Sequence, residues 1–486
     1  MRRVPHIVSV SLVLASLVTA TEIATAGPTR VEGLVGDPTG SLESGSDNGL
    51  LVRDEMNIFQ NPALQHRYRG EVLLDMGIGT GGSGTYLEPM GGVLFGPGEV
   101  VTLSLFLNRQ PGRYSDQGPL LANLLELTSE AYGASLELSP SEESGGGRRF
   151  LPIDLMASAA VGRTRFGLSF YGAFDRSSEL DQQDDRSTRL VTSASYLEAA
   201  LGLQIEGERL SPEVWIRGST ASNWRSSLSW EGSSADEPTD EEPALSGIRN
   251  TFGATAGVRL PARRQQVVVM PALVVGYSQG QRCSPCSADD PDALGRPIRR
   301  LAALVGAGLE YEPSPRFLLV ATASVEIGGR LVGGVDEDSR HASFGARPVL
   351  SIGAETTLLD HLKLRGSVRA AVGSSLLVDL DETYDDDGHT DRSEFSVDGQ
   401  GPRSAISAAA GLAFPFEHVV IDLTVGGQFL QSEAGSAFFS RLGLTFFIPN
   451  PTGDDDANQP EPGAGSTARH PDLDPARLSD ADWQRR

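Results

Sequence analysis

Lysine is all but missing from this chain: Lys363 is the only one, so nearly all of the 40 basic residues are arginine. Positive charge is outnumbered as well, by 64 acidic groups, for a formal net charge of −24. That balance argues against nucleic acid as a partner, because phosphate binding needs a basic footprint. Cysteine is scarce, with Cys283 and Cys286 the two present, in Cys-Ser-Pro-Cys. No βαβ pattern surrounds them, which disfavours a thioredoxin-like redox site, and one pair is a weak zinc signal. In an exported chain, with proline between them in a polar loop, the expected state is a local disulfide. The seven histidines form no cluster of metal-ligand type, so neither metal nor cofactor is expected. Long apolar runs are missing too. Beyond the N-terminus no stretch reaches the roughly 20 residues of a membrane helix.

The N-terminus has the three parts of an export signal. Arg2 and Arg3 supply charge, Ile7 to Ala20 an apolar stretch, and Ala24-Thr25-Ala26 the small-x-small cleavage pattern. Residues 1–26 are therefore expected to be a signal peptide. Residues 27–98 begin polar and glycine-rich and are set apart as an N-terminal plug-like segment. From 99 to 449 the sequence becomes a series of segments that alternate apolar with small or polar residues, the period of a strand with two different faces.

The alternation is plainest at 419–430. Val419, Ile421, Leu423, Val425 and Phe429 share one phase; Asp422, Thr424, Gly426 and Gln428 share the other. Segments 362–372, 438–448 and 197–206 repeat it. Several are longer than an ordinary soluble strand and match the roughly 9–11 residues of a tilted membrane strand. Connections alternate in length: short at 162–163, 208–211, 261–264, 313–315, 360–361 and 416–417, long at 109–150, 175–187, 228–247, 279–298, 329–341 and 379–403. Short turns at one end and long loops at the other are the habit of outer-membrane barrels. The expected fold is all-β, a transmembrane antiparallel barrel of 14 strands. Segments 69–76 and 90–96 would raise the count to 16. Even parity puts both termini in the periplasm of a Gram-negative cell, with lipid bilayer and lipopolysaccharide as surroundings. Residues 450–486, rich in Asp, Pro and Ala, read as a disordered periplasmic tail.

If the apolar phase meets lipid, the other lines a lumen carrying Arg347, Lys363, Arg365, Arg369, Asp422 and Arg441. Such a wall either selects anions or fills the barrel with internal ion pairs, and the mixture of signs favours ion pairs. In the first long loop Leu120, Leu121, Leu124 and Leu125 recur at helical spacing, as an external amphipathic helix would. Pro271 and Pro348 fall inside strands and are expected to mark bulges or kinks. The run from Thr383 to Gly388 resembles part of a calcium loop but lacks its first and closing acidic ligands. His341-Ala342-Ser343 has the His-x-Ser spacing of outer-membrane lipid hydrolases, yet lies in the lumen phase without a third partner. An enzyme is not expected.

One motif remains. Asn61-Pro62-Ala63 follows the exported N-terminus and precedes the barrel segments. It resembles the Asn-Pro-Ala motif of FadL-type transporters of hydrophobic compounds. The resemblance covers these three residues. It implies an internal hatch in a 14-stranded barrel, uptake of a small lipophilic substrate such as a fatty acid, and a lateral exit. Two other readings fit the residues: a general porin for hydrophilic solutes, on the lumen charges, and a non-transporting barrel that scaffolds a surface or secretion complex. The sequence does not set the oligomeric state.

Overall fold

The computed structural model describes residues 34, 50–81, 84–96, 100–108, 148–183, 186–231, 244–286, 297–333, 339–373, 376–384, 390–399, 403–416, 418–430 and 438–448. The expected signal peptide, the candidate external helix at Leu120, Leu121, Leu124 and Leu125, Asp385 to Gly388 and the expected C-terminal tail lie outside the described residues. Among the described residues no helix is long and apolar enough to cross a membrane.

Alternation drives the chain into one closed antiparallel sheet of nineteen ladder segments. Three of these, 262–264, 376–384 and 390–399, continue their neighbours, so the wall has sixteen strands. They are β1 (Glu71–Gly81), β2 (Gly84–Phe95), β3 (Val101–Leu107), β4 (Arg148–Val161), β5 (Thr164–Gln183), β6 (Arg186–Ile205), β7 (Glu213–Glu231) and β8 (Ala244–Arg259, continued by Ala262–Arg264). There follow β9 (Val267–Cys286), β10 (Pro297–Ser314), β11 (Phe317–Gly333), β12 (Ser339–Leu359), β13 (Leu362–Gly373, continued by Leu376–Tyr384), β14 (Thr390–Gly399 and Arg403–Pro415), β15 (Val419–Leu430) and β16 (Phe438–Phe447). β1 closes the barrel on β16, from Glu71↔Phe447 to Thr80↔Phe438.

The fourteen-strand expectation is therefore corrected to sixteen. The two further segments are β1 and β2, so the wall begins at Glu71 and not at 99. Their glycines, as in Gly77-Ile78-Gly79 and Gly91-Gly92, leave few apolar side chains to show a phase. The long connections are shorter than expected too. β5 and β6 stay paired from Thr164↔Ile205 out to Gln183↔Arg186, so most of 175–187 is strand. Polar residues occupy both phases there, which hides the alternation while leaving the backbone ladder intact.

Burial follows the phase. β3 reads exposed-buried along its whole length, with Leu103, Leu105 and Leu107 outward and Thr102, Ser104 and Phe106 inward. Leu155, Phe166, Phe170, Leu201, Ile216, Val305, Leu350, Ile352, Leu423 and Val425 continue the outward belt. A soluble wall would not show water so much contiguous apolar surface, whereas hydrocarbon requires it. At the short-turn end, Gly162 takes φ +60° between the paired Val161 and Thr164, as a two-residue hairpin demands.

The two strand prolines behave differently. Pro271 pairs with Ala307 without any register shift, so the expected bulge there is corrected. Its missing donor faces β8, where Leu260-Pro261 interrupts the strand; Leu260 N–H still donates to the Pro271 carbonyl at 3.0 Å. Pro348 does mark a discontinuity. β12 and β13 pair from Leu359↔Leu362 up to Val349↔Ala371. They next meet at Ala342↔Leu380, two residues out of step. Over that interval β12 stays bonded to β11 without a break. Lacking an N–H, proline releases the ladder on one side only.

Candidate functional site: a segment seated inside the barrel

Inside the short-turn end lies the chain from Leu50 to Tyr68, with Leu34 beside it. Its backbone is held by short-range bonds, not by long helices. Asn57 Nδ2 donates to the carbonyls of Val52 at 2.8 Å and Asp54 at 3.0 Å. A 3-10 helix spans Glu55–Phe59 and another Pro62–Tyr68. Asn61 caps the second: its Oδ1 accepts from Ala63 N at 3.1 Å, with Pro62 at the first helical position. Asparagine at an N-cap followed by proline is the arrangement that spends no free backbone donor. Gln65 Nε2 then donates to the Pro62 carbonyl at 2.9 Å.

The capped turn rests on bare wall backbone. Gly167 of β5 and Gly202 of β6 are register partners. A Cβ on Gly167 would lie 2.1 Å from Ala63 N, and one on Gly202 would lie 2.0 Å from Asn61 Oδ1. Asn61 Nδ2 donates to the Leu203 carbonyl at 3.2 Å. Elsewhere the segment uses the same device: a Cβ on Gly308 would meet the Leu51 carbonyl at 1.7 Å, and one on Gly353 the Leu34 carbonyl at 1.8 Å.

Apolar contacts anchor it in three places. Ile58, Phe59 and Leu64 pack with Leu73, Met90, Leu94, Phe106 and Met156 of β1–β4. The Phe59 and Phe106 rings meet edge to face, with centroids 4.8 Å apart. Leu50 and Leu51 join Trp215, Ala272, Val274, Ala302 and Leu304 of β7, β9 and β10. Leu34 and Val52 pack on Val320 of β11.

Charged side chains fix what remains. Arg53 forms a paired contact with Glu310, Nε to Oε2 at 2.8 Å and backbone N to Oε1 at 2.8 Å. Burial works against the Arg53 charge, but the Glu310 carboxylate outweighs it and holds the guanidinium above its ordinary pKa. Arg259 donates to the carbonyls of Leu50 at 3.0 Å and Val52 at 3.3 Å, and pairs with Glu213 at 2.6 Å. Arg217 donates to the Phe59 carbonyl and pairs with Glu198 at 3.5 Å. His66 presents both ring nitrogens to acceptors, Nδ1 to the Ala63 carbonyl and Nε2 to Glu206 Oε1, each at 2.8 Å. The His66 hydrogen bond lowers the Glu206 pKa, and Arg165 at 3.1 Å adds to it. These contacts were not legible in advance. Arg217, Arg259 and Glu310 stand in the lumen phase of the sequence, but nothing in it pairs them with residues 50–66.

The lumen charges named from the sequence fall on the far side of the barrel. Arg365 is 1% exposed and bonds Glu355 at 2.6 Å and Asp422. It reaches Asp422 across β14, which carries only Gly411 and Ala413 opposite the pair. Lys363 Nζ is 3.6 Å from Glu355, and Arg441 is 3.4 Å from Asp75. Arg369 is buried on the same face. Arg347 has its backbone opposite Glu326; its side chain lies outside the described residues. So do the side chains of His341, Ser343, Cys283 and Cys286. The two cysteines end β9, with a register shift between them. Among the described residues no group of three or more His, Cys, Asp or Glu is placed to hold a metal ion.

No family model matches the chain, and no curated protein matches it. Solved structures do. CdiB from Acinetobacter baumannii is similar at 10% identity and TM-score 0.39, over 77% of this chain and 60% of that one. CdiB from Escherichia coli gives 13% and 0.38, over 77% and 63%. The chain thus spans under two thirds of the CdiB proteins. The toluene transporter TodX of P. putida is similar at 11% identity and TM-score 0.33, over 80% of this chain and 93% of that one. The toluene transporter TbuX of Ralstonia pickettii gives 10% and 0.33, over 81% and 93%. The barrel assignment here rests on the strand register and the outward apolar belt.

Proposed function

We propose that this chain is an outer-membrane channel for small hydrophobic compounds, fatty acids or monoaromatics among them, with residues 50–68 as its hatch. One observation carries the reading. The Asn61-Pro62-Ala63 turn sits directly on the Gly167–Gly202 pair, its backbone against Gly167 and the Asn61 side chain against Gly202. A turn that needs two side-chain-free positions in the wall is a fitted part, and it sits where a hatch would close the short-turn end. Two features support the cargo class. The inward faces of β9 and β10 offer Met270, Ala272, Val274, Ala302 and Leu304, an apolar strip that runs to Leu50 and Leu51. The ladder gap beside Pro348 offers a way out through the wall. In this reading the short turns and both termini face the periplasm, and the opposite end faces lipopolysaccharide.

Uptake of a panel of fatty acids and monoaromatic hydrocarbons, by cells carrying the full chain or one lacking residues 55–65, tests the proposal. Hydrophobic uptake should change with the deletion. Unchanged uptake of every compound removes the idea. A general porin is the second reading, on the charged wall around Arg365. It requires a large steady conductance of the intact protein in planar bilayers, where a plugged barrel is nearly silent.

A further inference from the structure

Among the described residues, exposed arginines gather at the short-turn rim, with Arg189 and Arg299 exposed near the other end of their strands. Four successive short turns, from β4–β5 to β10–β11, carry Arg163, Arg209, Arg263, Arg264 and Arg316. Arg263 is half-buried and the rest are exposed. The turns are tied sideways by backbone bonds. Glu206 N–H donates to the Arg163 carbonyl at 2.7 Å, Arg263 N–H to the Arg209 carbonyl at 2.8 Å, and Thr357 N–H to the Arg316 carbonyl at 2.8 Å. Leu210 and Ala262 form a bridge between two of the turns. The arginines therefore project from a fixed arc. The acids along it are fewer: Glu208 is exposed, Glu206 and Glu312 half-buried, and Asp360 sits 3.5 Å from Arg316. On the remaining half of the rim, the described turns show Asp360, His361, Phe416 and His418 at their tips, and the one arginine among the described residues there, Arg69, is half-buried against Gly96.

Beside each cationic tip stands exposed apolar surface. Val161 precedes Arg163, Leu210 follows Arg209, Leu260 precedes Arg263, and Phe317 follows Arg316. Positive charge at the edge of a hydrocarbon-facing belt matches one kind of molecule, an amphiphile with a phosphate head and acyl chains. Guanidinium groups take phosphate oxygens through paired N–H donors, and neighbouring apolar residues take the first methylenes.

We propose that this arc is a binding surface for anionic glycerophospholipids of the leaflet that meets the short turns. It gathers such lipids along β4–β11 and leaves the β12–β16 side to neutral ones. The claim concerns the lipid face and needs nothing from transport.

The test reconstitutes the full chain in nanodiscs of mixed phosphatidylglycerol and phosphatidylethanolamine, then identifies lipids kept through native mass spectrometry. Phosphatidylglycerol should be enriched about fivefold over its share, roughly the contribution of one well-placed arginine at an anionic surface. Raised salt should reduce the enrichment. The triple variant R209Q/R263Q/R264Q should lose most of it, while H361Q/H418Q on the opposite rim keeps it. Retention in proportion to bulk composition by the unmodified protein overturns the proposal, as does enrichment that survives in a folded triple variant. If the triple variant does not fold, the salt response of the unmodified protein decides alone.

Discussion

The two sides of the lumen are built from the same alternation and end up opposite in character. From β12 round to β1, the inward phase holds Glu355, Arg365, Arg369, Asp422, Arg441 and Asp75. On β9 and β10 it holds Val268, Met270, Ala272, Val274, Ala302 and Leu304 along the middle, with Ser278, Arg300 and Glu310 towards the ends. The charged side solves its burial within the wall: Arg365 serves two carboxylates on different strands. The apolar side takes its cover from the inner segment, through Leu50 and Leu51. One side is thus self-sufficient and the other depends on the plug. Removing residues 50–68 would uncover that apolar strip and leave the Arg365 ion pairs intact, the asymmetry that the proposed channel for hydrophobic cargo would use.

The largest effect should come from the self-sufficient side. Arg365→Ala leaves Glu355 and Asp422 buried without their shared cation, a loss of about 3–5 kcal/mol. It should show as a lower denaturant midpoint of the barrel in a gel-shift assay. The triple change Arg365→Met, Glu355→Gln, Asp422→Asn should restore most of it; equal instability of both variants would mean the pairs are not the cause. On the dependent side, Leu51→Ala should weaken plug seating by about 2–4 kcal/mol, within the range of buried leucine truncations. Protease cleavage within 50–68 should quicken while the barrel midpoint holds.

Gly202→Leu acts at the seat itself. Its new Cβ strikes Asn61 Oδ1, and overpacking of this kind costs about 1–3 kcal/mol. Single-channel recordings should change from silent to conducting, with the barrel still folded. A silent channel would mean the turn is not what blocks it. The smallest effect is on pH. The Glu206 pKa is lowered in the folded state, so its contribution is complete above the ordinary carboxylate value and lost as pH falls through the lowered one. Plug protection should therefore drop at acid pH, and a Glu206→Gln variant should lack that drop.

Much of the wall could be read directly. Val419 to Leu430 shows its phase because lipid and lumen demand different side chains at alternate positions. Arg365 and Asp422 were legible as lumen residues for that reason. β1 and β2 were legible only in part, as the segments 69–76 and 90–96 of the sixteen-strand alternative, since their glycines carry no side chain to declare a face. The outer half of β5 was hidden because both its faces are polar.

The sequence by itself determined an alternating, membrane-type wall and the side of it that carries charge, and it held the Asn61-Pro62-Ala63 motif. The tertiary structure decided that there are sixteen strands, that Arg53 meets Glu310, and that Gly167 and Gly202 form the seat of that motif. Strand phase is a local property, written in every second residue. The seat joins residues more than a hundred positions apart, and only closure of the barrel brings them together.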